Sequence, residues 1–269
     1  MIHAKTTAVG CAEAKCVFKA TAACFYNQPE LQNGELIYTK GRPCVANDEC
    51  KTYQPSTCAN GFCVKGDPPT TPAESSSSET TPSSTSSEST TPSSTSSGST
   101  TPTSTSSKST TAAINQICPT NWGVNDKIRN KTLEAHNYRR SELAFGRVQK
   151  RNGNYYQSAS NMIKLKYSCQ LEVSARDHAV TCRNGPSSPS SRPNIEENVA
   201  QIPKNSVVNR VEAMRKAVIS WWKTGRKEKP IGVALTFRAH HLDSPIRHFA
   251  MVGSIDLESH NLAVKDMSP

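Results

Sequence analysis

Ten cysteines constrain this chain of 269 residues more than any other feature of its sequence. Seven lie in the first 65 residues and three follow later: Cys11, Cys16, Cys24, Cys44, Cys50, Cys58, Cys63, Cys118, Cys169 and Cys182. So many thiols are unusual in a cytosolic protein, and the pattern indicates disulfides formed in an oxidising compartment. We therefore expect all ten to be paired and the protein to be extracellular.

The start of the chain, Met1 to Thr7, lacks the apolar run of a signal peptide. No other stretch approaches the roughly 18 apolar residues that a membrane-spanning helix needs, so we expect no membrane span. A disulfide-rich composition without an export signal indicates an incomplete N-terminus. We therefore interpret the chain as truncated rather than cytosolic.

Residues 67–113 are almost all Ser, Thr and Pro. A decapeptide repeat within them keeps Pro72, Pro82, Pro92 and Pro102 in register. Because the segment has almost no apolar side chains, ordering it would lose conformational entropy without burying surface in return. We predict a disordered linker, which is either a mucin-like stalk carrying O-glycans or a plain flexible tether.

The segment before the linker has strand patterns followed by a small cysteine-rich module. Apolar side chains alternate from Phe18 to Tyr26, and Glu35 to Tyr38 form a second short run. So few strands make no core alone, and this piece therefore needs a partner. Cys44 to Cys63 follow the pattern C-x5-C-x7-C-x4-C, with Asn60-Gly61 as a tight turn. We favour two disulfides over a zinc site here, because zinc ligands are usually more closely spaced.

The segment after the linker has helical patterns. Apolar spacing and helix-stop residues predict helices over 126–145, 171–182 and 205–225. Asp126 is the predicted cap of the first helix, and Asn205 or Ser206 is the predicted cap of the third. Residues 231–237 alternate like a half-buried strand. Together these elements predict an α+β fold in which helices sandwich a small sheet.

The net charge of +10 is concentrated in the later part of the chain. Residues 114–252 contain 23 Lys and Arg against 10 Asp and Glu. A basic face of this kind could attract an acidic polysaccharide such as heparan, an acidic lipid surface or nucleic acid. No nucleic-acid motif accompanies the charge and export argues against that partner, so we expect no nucleic-acid binding. The simplest interpretation is a solvated basic surface.

Several motifs in the later segment resemble one family. His136-Asn137-Tyr138-Arg139 resembles the H-N helix motif of the CAP superfamily (SCP/TAPS), which includes venom-allergen and pathogenesis-related proteins. The stretch 160–172 is similar to that family's approach to its second helix. Residues 196–200 resemble G-E-N-x-A with Glu in place of Gly, and include Asn198. Residues 248–252 resemble H-F-x-Q-M-x-W but are one residue short and lack the Trp. The order and spacing of the four motifs make the resemblance specific.

The early segment resembles a different part of the same family. Residues 4–12 resemble the strand that follows H-F-x-Q-M-x-W, and residues 24–29 resemble its C-N-Y-x-P segment. Residues 44–63 resemble the cysteine-rich hinge that often comes next. The layout is similar to that of the two-domain activation-associated secreted or venom-allergen-like proteins of parasitic nematodes. The resemblance implies an α-β-α sandwich (CAP/SCP-like), with a small disulfide-rich hinge module and a disordered linker.

The resemblance predicts five segments. They are the C-terminal strands of a truncated CAP domain (1–43), a hinge module (44–66), the linker (67–113), a CAP domain lacking its last strands (114–252) and a divergent tail (253–269). Because the two CAP pieces are complementary, we hypothesise that residues 5–40 dock onto residues 115–252 and complete one sandwich as a circular permutant. Cysteine parity agrees, since the three late cysteines become even in number with Cys11, Cys16 and Cys24.

CAP proteins commonly have a cavity with two His and two Glu, of which the resemblance carries over only Glu197 and His248. The other His falls near Pro186, and the other Glu falls at Thr224. Two ligands do not make a stable zinc site, so we expect no metal, no cofactor and no catalytic residue. His240 or His241 is a weak further metal candidate beside Glu197 and His248. A paired His and Glu are more often hydrogen-bonded for structural reasons than used as an acid–base couple.

The remaining motif residues have structural interpretations. His136 is expected on a core-facing side of its helix, and Trp221 and Trp222 in the core. Asn130 opens a sequon for N-glycosylation inside the first predicted helix. The resemblance implies a secreted, non-enzymatic protein that binds and modulates a host protein or receptor. The alternatives are carriage of a sterol or fatty acid, and a metal-dependent hydrolase with a degenerate site.

Overall fold

A computed structural model describes residues 1–67 and 115–250 of the chain. The predicted linker, the predicted tail and the last two residues of the H-F motif lie outside the described residues. Two strands open the fold: β1 (Ala8–Lys15) and β2 (Lys19–Tyr26) form an antiparallel hairpin. Every residue from Ala20 to Tyr26 is buried, which shows that both faces of the hairpin are covered.

The hairpin occupies the centre of a four-stranded sheet with the order β5-β1-β2-β6. The short strand β5 (Lys166–Tyr167) runs parallel to β1, and β6 (Glu196–Pro203) runs antiparallel to β2 over its whole length. The two edge strands come from the segment after the linker, and the two central strands come from the segment before it. The hypothesis that the early strands complete the later sheet is confirmed by this pairing.

Four helices cover the sheet: α1 (Asp126–Ala144), α2 (Cys169–Ala179), α3 (Arg210–Lys227) and the short α4 (Ile246–Ala250). Side chains of successive strand residues point to opposite faces. Phe25 packs in a cavity wall beside α2, whereas the hydroxyl of its neighbour Tyr26 contacts His136 on α1. α2 therefore covers one face, α1 and α3 cover the other, and the α-β-α prediction is confirmed.

Side-chain caps set where the long helices begin. Asn125, Ser168 and Asn209 each accept a hydrogen bond from the backbone N–H three residues ahead, which satisfies a donor that the helix itself leaves free. The prediction that Asp126 caps α1 is therefore wrong. Its carboxylate instead accepts from the Gln116 and Ile117 N–H groups. The third helix begins later than predicted because residues 204–206 form a separate 3-10 turn.

Two other sequence predictions about secondary structure are wrong. Residues 35–38 and 231–237 form no strands and are joined only by one isolated bridge between Leu36 and Thr236. Leu235 has a positive φ of 55°, which breaks extended backbone. Ile231 and Phe237 are buried, but Val233 between them is exposed, so the alternation reflects an irregular segment that packs one side inward.

Close packing between the two segments depends on a glycine. A Cβ on Gly10 of β1 would lie 2.2 Å from the backbone nitrogen of Glu172 and 2.4 Å from the carbonyl carbon of Leu171, both on α2. Real side chains never approach a backbone so closely, so only glycine fits. This contact fixes α2 directly on the central hairpin.

Five disulfides pair all ten cysteines, as predicted. Within the early segment they join Cys11 to Cys24, Cys44 to Cys58 and Cys50 to Cys63; in the later segment Cys118 joins Cys169. Cys16–Cys182 is the one bond between the two segments. The hinge module contains the hairpin of β3 (Ser56–Ala59) and β4 (Phe62–Lys65), and Asn60-Gly61 form its predicted turn with positive φ at both residues.

The two described segments also meet at their far ends. The Ile2 N–H donates to the carbonyl of Phe249 at 3.1 Å. Phe249 lies on α4. The fully buried guanidinium of Arg140 on α1 donates to four carbonyls from both segments, those of Met1, His3, Ala4 and Ile163. Arg140 therefore anchors the first residues of the chain to the helical layer.

Trp221 is buried in the main core and donates through its indole N–H to the carbonyl of Val199 at 3.1 Å. Trp222 is half-buried and its ring packs edge-on against Phe249, with 4.9 Å between centroids. The expected core placement therefore fits Trp221 fully and Trp222 in part. None of the helices within 1–67 and 115–250 has the length and apolarity required to cross a bilayer.

Candidate functional site

A buried chain of hydrogen bonds runs along one face of the sheet from α1 to α4. The His136 Nδ1 lies 2.8 Å from the Thr132 carbonyl, and its Nε2 lies 3.0 Å from the Tyr26 hydroxyl. The Asn198 amide on β6 donates to the same hydroxyl at 3.4 Å. Its Oδ1 lies 3.0 Å from His248 Nδ1, and its amide nitrogen also donates to the His248 carbonyl. These contacts join four elements, α1, β2, β6 and α4, through side chains of the family motifs.

Burial keeps this chain of groups uncharged. It lowers the pKa of His136 to about 3 and the pKa of His248 to about 4, and it raises the pKa of Tyr26 above its usual value. Each neutral imidazole is hydrogen-bonded through its Nδ1, so its proton has a fixed position at physiological pH. The arrangement therefore acts as a structural joint rather than as an acid–base couple.

Glu197 lies on the opposite face of β6 from this joint. Its Oε2 accepts from the Ser187 backbone N–H at 2.7 Å and from the Ser187 hydroxyl at 2.6 Å. Its carboxylate also lies 3.4 Å from His178 Nε2 and 3.5 Å from Arg192 Nε. Because side chains alternate along a strand, Glu197 faces α2 while Asn198 binds His248. The structure does not bring Glu197 and His248 together as the family cavity would require.

A cavity of about 760 Å³ with polar and apolar walls opens beside Ser187, the partner of Glu197, between α2 and the loop that follows it. Its walls are Phe25, Ser174, Asp177, His178, Thr181, Arg183, Pro186, Ser187, Ser188, Ser191, Arg192, Pro193 and Ile195. Beneath it, Glu197 Oε1 and Arg192 Nη2 are buried without a hydrogen-bond partner. His178 is held by the Gly185 carbonyl at 2.9 Å from its Nε2. The family His is expected near residues 182–186, a stretch without a His that contributes Arg183 and Pro186 to this cavity.

The sequence motifs predicted no role for Glu196. It replaces the glycine of the family motif, is 1% exposed, and has Arg192 Nη1 as its nearest cation at 3.7 Å. Burial raises its pKa to about 8, and Arg192 opposes that rise. The only signal in the sequence was the large charged side chain at a glycine position, which requires space that a glycine does not.

A second and more apolar cavity, of about 910 Å³, lies along the outer face of α1. Its apolar lining comes from Phe62, Leu133, Ala135, Tyr138 and Val211. The cationic side chains Lys131, Arg139, Lys164 and Arg215 also line it. We call this cavity the α1 groove. An apolar wall with cations nearby can hold a molecule that has an apolar tail and an anionic head.

Comparisons with known proteins agree with this geometry. A family model described as CAP, the cysteine-rich secretory protein family, matches residues 133–252. This part of the chain matches the CAP family. The chain is similar to the Ancylostoma secreted protein of Ancylostoma caninum, with 28% identity over 225 residues that cover 82% of this chain and 42% of the relative.

The chain is also similar to the crystal structure of Na-ASP-1, with 26% sequence identity and a TM-score of 0.41. That match covers 86% of this chain and 47% of the other. The chain therefore spans less than half the length of either relative.

The other predicted residues of the CAP site are engaged elsewhere. The Thr224 hydroxyl donates to the Trp221 carbonyl one helical turn back, so it holds no ligand position. His241 is buried beside Phe237, and its Nδ1 accepts from the Arg238 N–H at 3.0 Å. Burial lowers the pKa of His241 to about 4, and the neighbouring His240 contributes to this. Neither histidine joins Glu197 or His248 through a hydrogen bond among the described residues.

Two groups of three ligand-type side chains lie close together within residues 1–67 and 115–250. One combines Cys11 and Cys24 with His136, and the other consists of Cys44, Cys50 and Cys63. All five cysteines are in disulfides, so their sulfurs are not available as thiolate ligands. Neither group fits a metal ion.

One further motif residue, Asn137, holds α1 against the residue that precedes β5. Asn137 Nδ2 donates to the Leu165 carbonyl, and its Oδ1 accepts from the Leu165 N–H. Arg139 donates to the Ala135 carbonyl on its own helix. The sequon residue Asn130 is exposed on α1, whereas its Thr132 is buried. The occupancy of the sequon stays a prediction.

Proposed function

We propose that this CAP protein is secreted and acts by binding a host protein or receptor without catalysing a reaction. Its five disulfides suit an oxidising compartment. The relative from Ancylostoma caninum has a name that describes it as secreted. CAP family proteins are generally not enzymes, which supports a binding role.

One observation carries the non-catalytic part of this proposal. Glu197 and His248, the two residues matched to the family cavity, face opposite sides of β6 and have different partners. Ser187 holds Glu197 in place and Asn198 holds His248. Burial keeps His248 uncharged near neutral pH. A couple that does not meet cannot pass a proton or share a metal ion. The surfaces of the domain are then left for recognition.

The test is saturable binding of the purified, oxidised protein to an array of immobilised host extracellular proteins and receptors. We expect a partner whose binding is lost when the disulfides are reduced and kept in the His248→Ala variant. Binding that requires His248, or turnover of ester, phosphodiester or peptide substrates by the parent protein, would contradict the proposal.

Fatty-acid or sterol carriage is the second candidate, and the α1 groove favours it. Its volume of about 910 Å³ lies within the usual range for ligand pockets, and Arg139, Lys164 and Arg215 suit a carboxylate head. Displacement of a fluorescent fatty acid measures the affinity. Val211→Glu should weaken binding, while Val233→Glu, at an exposed valine outside the groove, should not.

Metal-dependent hydrolysis is the third candidate. Glu197 and His178 approach each other within 3.4 Å, and a metal ion there would need two further ligands. A zinc titration followed by calorimetry separates this candidate from the first two. Tight binding by the parent that disappears in both Glu197→Gln and His178→Ala would support it. An acidic polysaccharide remains a further predicted partner of the basic surface.

A further inference from the structure

The turn between β1 and β2 exposes two large apolar residues. The Cys16 N–H donates to the Lys19 carbonyl at 2.8 Å, so Val17 and Phe18 are the two residues of a tight hairpin turn. Two-residue turns usually take Asn, Asp or Gly, which suit the turn backbone and stay solvated. Here Val17 is 79% exposed and Phe18 is 82% exposed. Formation of the turn does not require apolar residues, so the exposed side chains of Val17 and Phe18 indicate a role in contact with a partner.

A second loop adds to the same surface. The Lys204 N–H donates to the Phe18 carbonyl at 3.3 Å, and its Nζ donates to the Val17 carbonyl at 2.9 Å. Val208, four residues further on, is 89% exposed and lines one shallow cavity together with Lys15 and Lys204. Lys204 therefore joins the hairpin turn to the loop after β6, and each of the two loops carries exposed apolar side chains.

Lysines surround these two loops, and none of them is neutralised. Lys15, Lys19 and Lys204 are exposed, and among the described residues none of the three contacts a carboxylate. The two acids nearby have other partners: Glu13 is buried and pairs with Arg210, and Glu212 lies 3.6 Å from Lys216. We call the set Val17, Phe18, Val208, Lys15, Lys19 and Lys204 the tip patch.

The tip patch is also firmly attached to the fold. The Cys16–Cys182 disulfide fixes the base of the turn to the end of the α2 region, and Lys19 pairs with Pro203 in the sheet. A projection that is already ordered loses little conformational entropy on binding, which favours its use as a docking point.

We propose that the tip patch docks the protein onto the surface of an anionic lipid bilayer. Val17, Phe18 and Val208 enter the boundary between headgroups and acyl chains, and the three lysines contact phosphate and carboxylate groups of the lipids. A sulfated polysaccharide would satisfy the lysines but would leave the three apolar side chains in water. The lipid surface is the partner that uses both halves of the patch, and it is independent of the protein partner proposed above.

Co-sedimentation of the full chain with vesicles tests this inference. Vesicles contain phosphatidylcholine alone or with about a third phosphatidylserine, because only the second carries surface charge. We expect binding to the anionic vesicles, with weaker binding at high salt. Phe18→Ser and Val208→Ser should each lower the partition constant about tenfold. Lys19→Gln and Lys204→Gln should each lower it about fivefold.

Two exposed residues outside the patch provide matched controls. Val233 is 76% exposed and Tyr155 is 58% exposed, so Val233→Ser and Tyr155→Ser remove similar apolar groups and should leave the partition constant unchanged. Equal binding to both vesicle types, or equal loss in patch and control variants, overturns the proposal. So does a result in which heparin binds tightly and Phe18→Ser has no effect on vesicle binding. Because Phe18 and Val208 lie on different loops, a folding defect in one variant leaves the other as a test.

Discussion

Residues 1–67 and 115–250 contribute different parts of one fold. The early segment supplies the two central strands and the hinge module, with three disulfides of its own. The later segment supplies every long helix and the two edge strands. A two-stranded hairpin is marginally stable alone in water, and these helices have no other sheet to cover. The difference teaches that neither segment holds a complete set of layers, so their shared interface is the core of the molecule.

The largest expected effect comes from the backbone contact between the segments. Gly10→Ala places a methyl group within 2.2 Å of the α2 backbone, so the helix must move off the hairpin. We expect the free energy of unfolding to fall by about 4 kcal/mol, measured by urea denaturation. Gly232→Ala is the control, because its Cβ would meet nothing within 4 Å. A change in both variants of less than about 0.5 kcal/mol would show that the segments do not pack this closely.

The single disulfide between the two segments provides the next test. Replacing Cys16 and Cys182 with Ser opens a bond between residues 166 positions apart, and we expect a loss of about 3 kcal/mol. A protease site engineered near residue 90 then separates the chain into two pieces. On a non-reducing gel the nicked parent should run as one band and the nicked variant as two. In gel filtration both should still elute as one species, since the buried interface remains; separate elution of the two pieces of the parent would contradict the pairing.

Removal of the Arg140 guanidinium should have a smaller effect. Arg140→Met keeps the bulk of the side chain but leaves buried carbonyls of Met1, His3 and Ile163 without their donor. The variant also removes a buried charge, which offsets part of the loss. We expect a decrease in stability of about 2 kcal/mol and faster hydrogen exchange in the first residues of the chain. Arg151→Met, at an exposed arginine, should change neither quantity.

The smallest predicted effect is a dependence on pH at Glu196. Its folded pKa of about 8 lies above the usual value of 4.5, so the folded state binds the proton more tightly than the unfolded state does. The stability that Glu196 contributes is therefore full below pH 4.5 and is lost as the pH rises to about 8. Glu196→Gln should therefore gain stability relative to the parent as the pH rises from 5 to 8. The exposed Glu134→Gln variant should show no such difference, and thermal melts at the two pH values decide.

The sequence predicted the pairing of the two segments for a physical reason. The three late cysteines become even in number with Cys11, Cys16 and Cys24, and the CAP motifs placed complementary strands on the two sides of the linker. Helix positions followed from apolar spacing, but their starts shifted because Asn125 and Asn209 outcompete the predicted caps. Residues 231–237 were misassigned, since alternation in sequence does not reveal the positive φ of Leu235.

The candidate site was harder to predict than the fold. The motifs match Glu197 and His248 to the family cavity, but a motif does not state which face of the sheet each side chain occupies. That depends on the register of β6 against β2, where Glu197 lies opposite Phe25 and Asn198 lies opposite Cys24. The membrane-facing interpretation of Val17 and Phe18 also required the structure, because the same residues in sequence simply continue a strand pattern.

The position of the central hairpin also has a consequence for biosynthesis. The ribosome releases β1 and β2 first, yet α1, α2 and β6 emerge more than 100 residues later. During that interval Cys11 and Cys24 are both available to pair, whereas Cys16 cannot form its native disulfide until Cys182 leaves the tunnel. The Cys16–Cys182 bond is therefore a late step of folding, and any transient disulfide that Cys16 forms earlier has to exchange before the native bond closes.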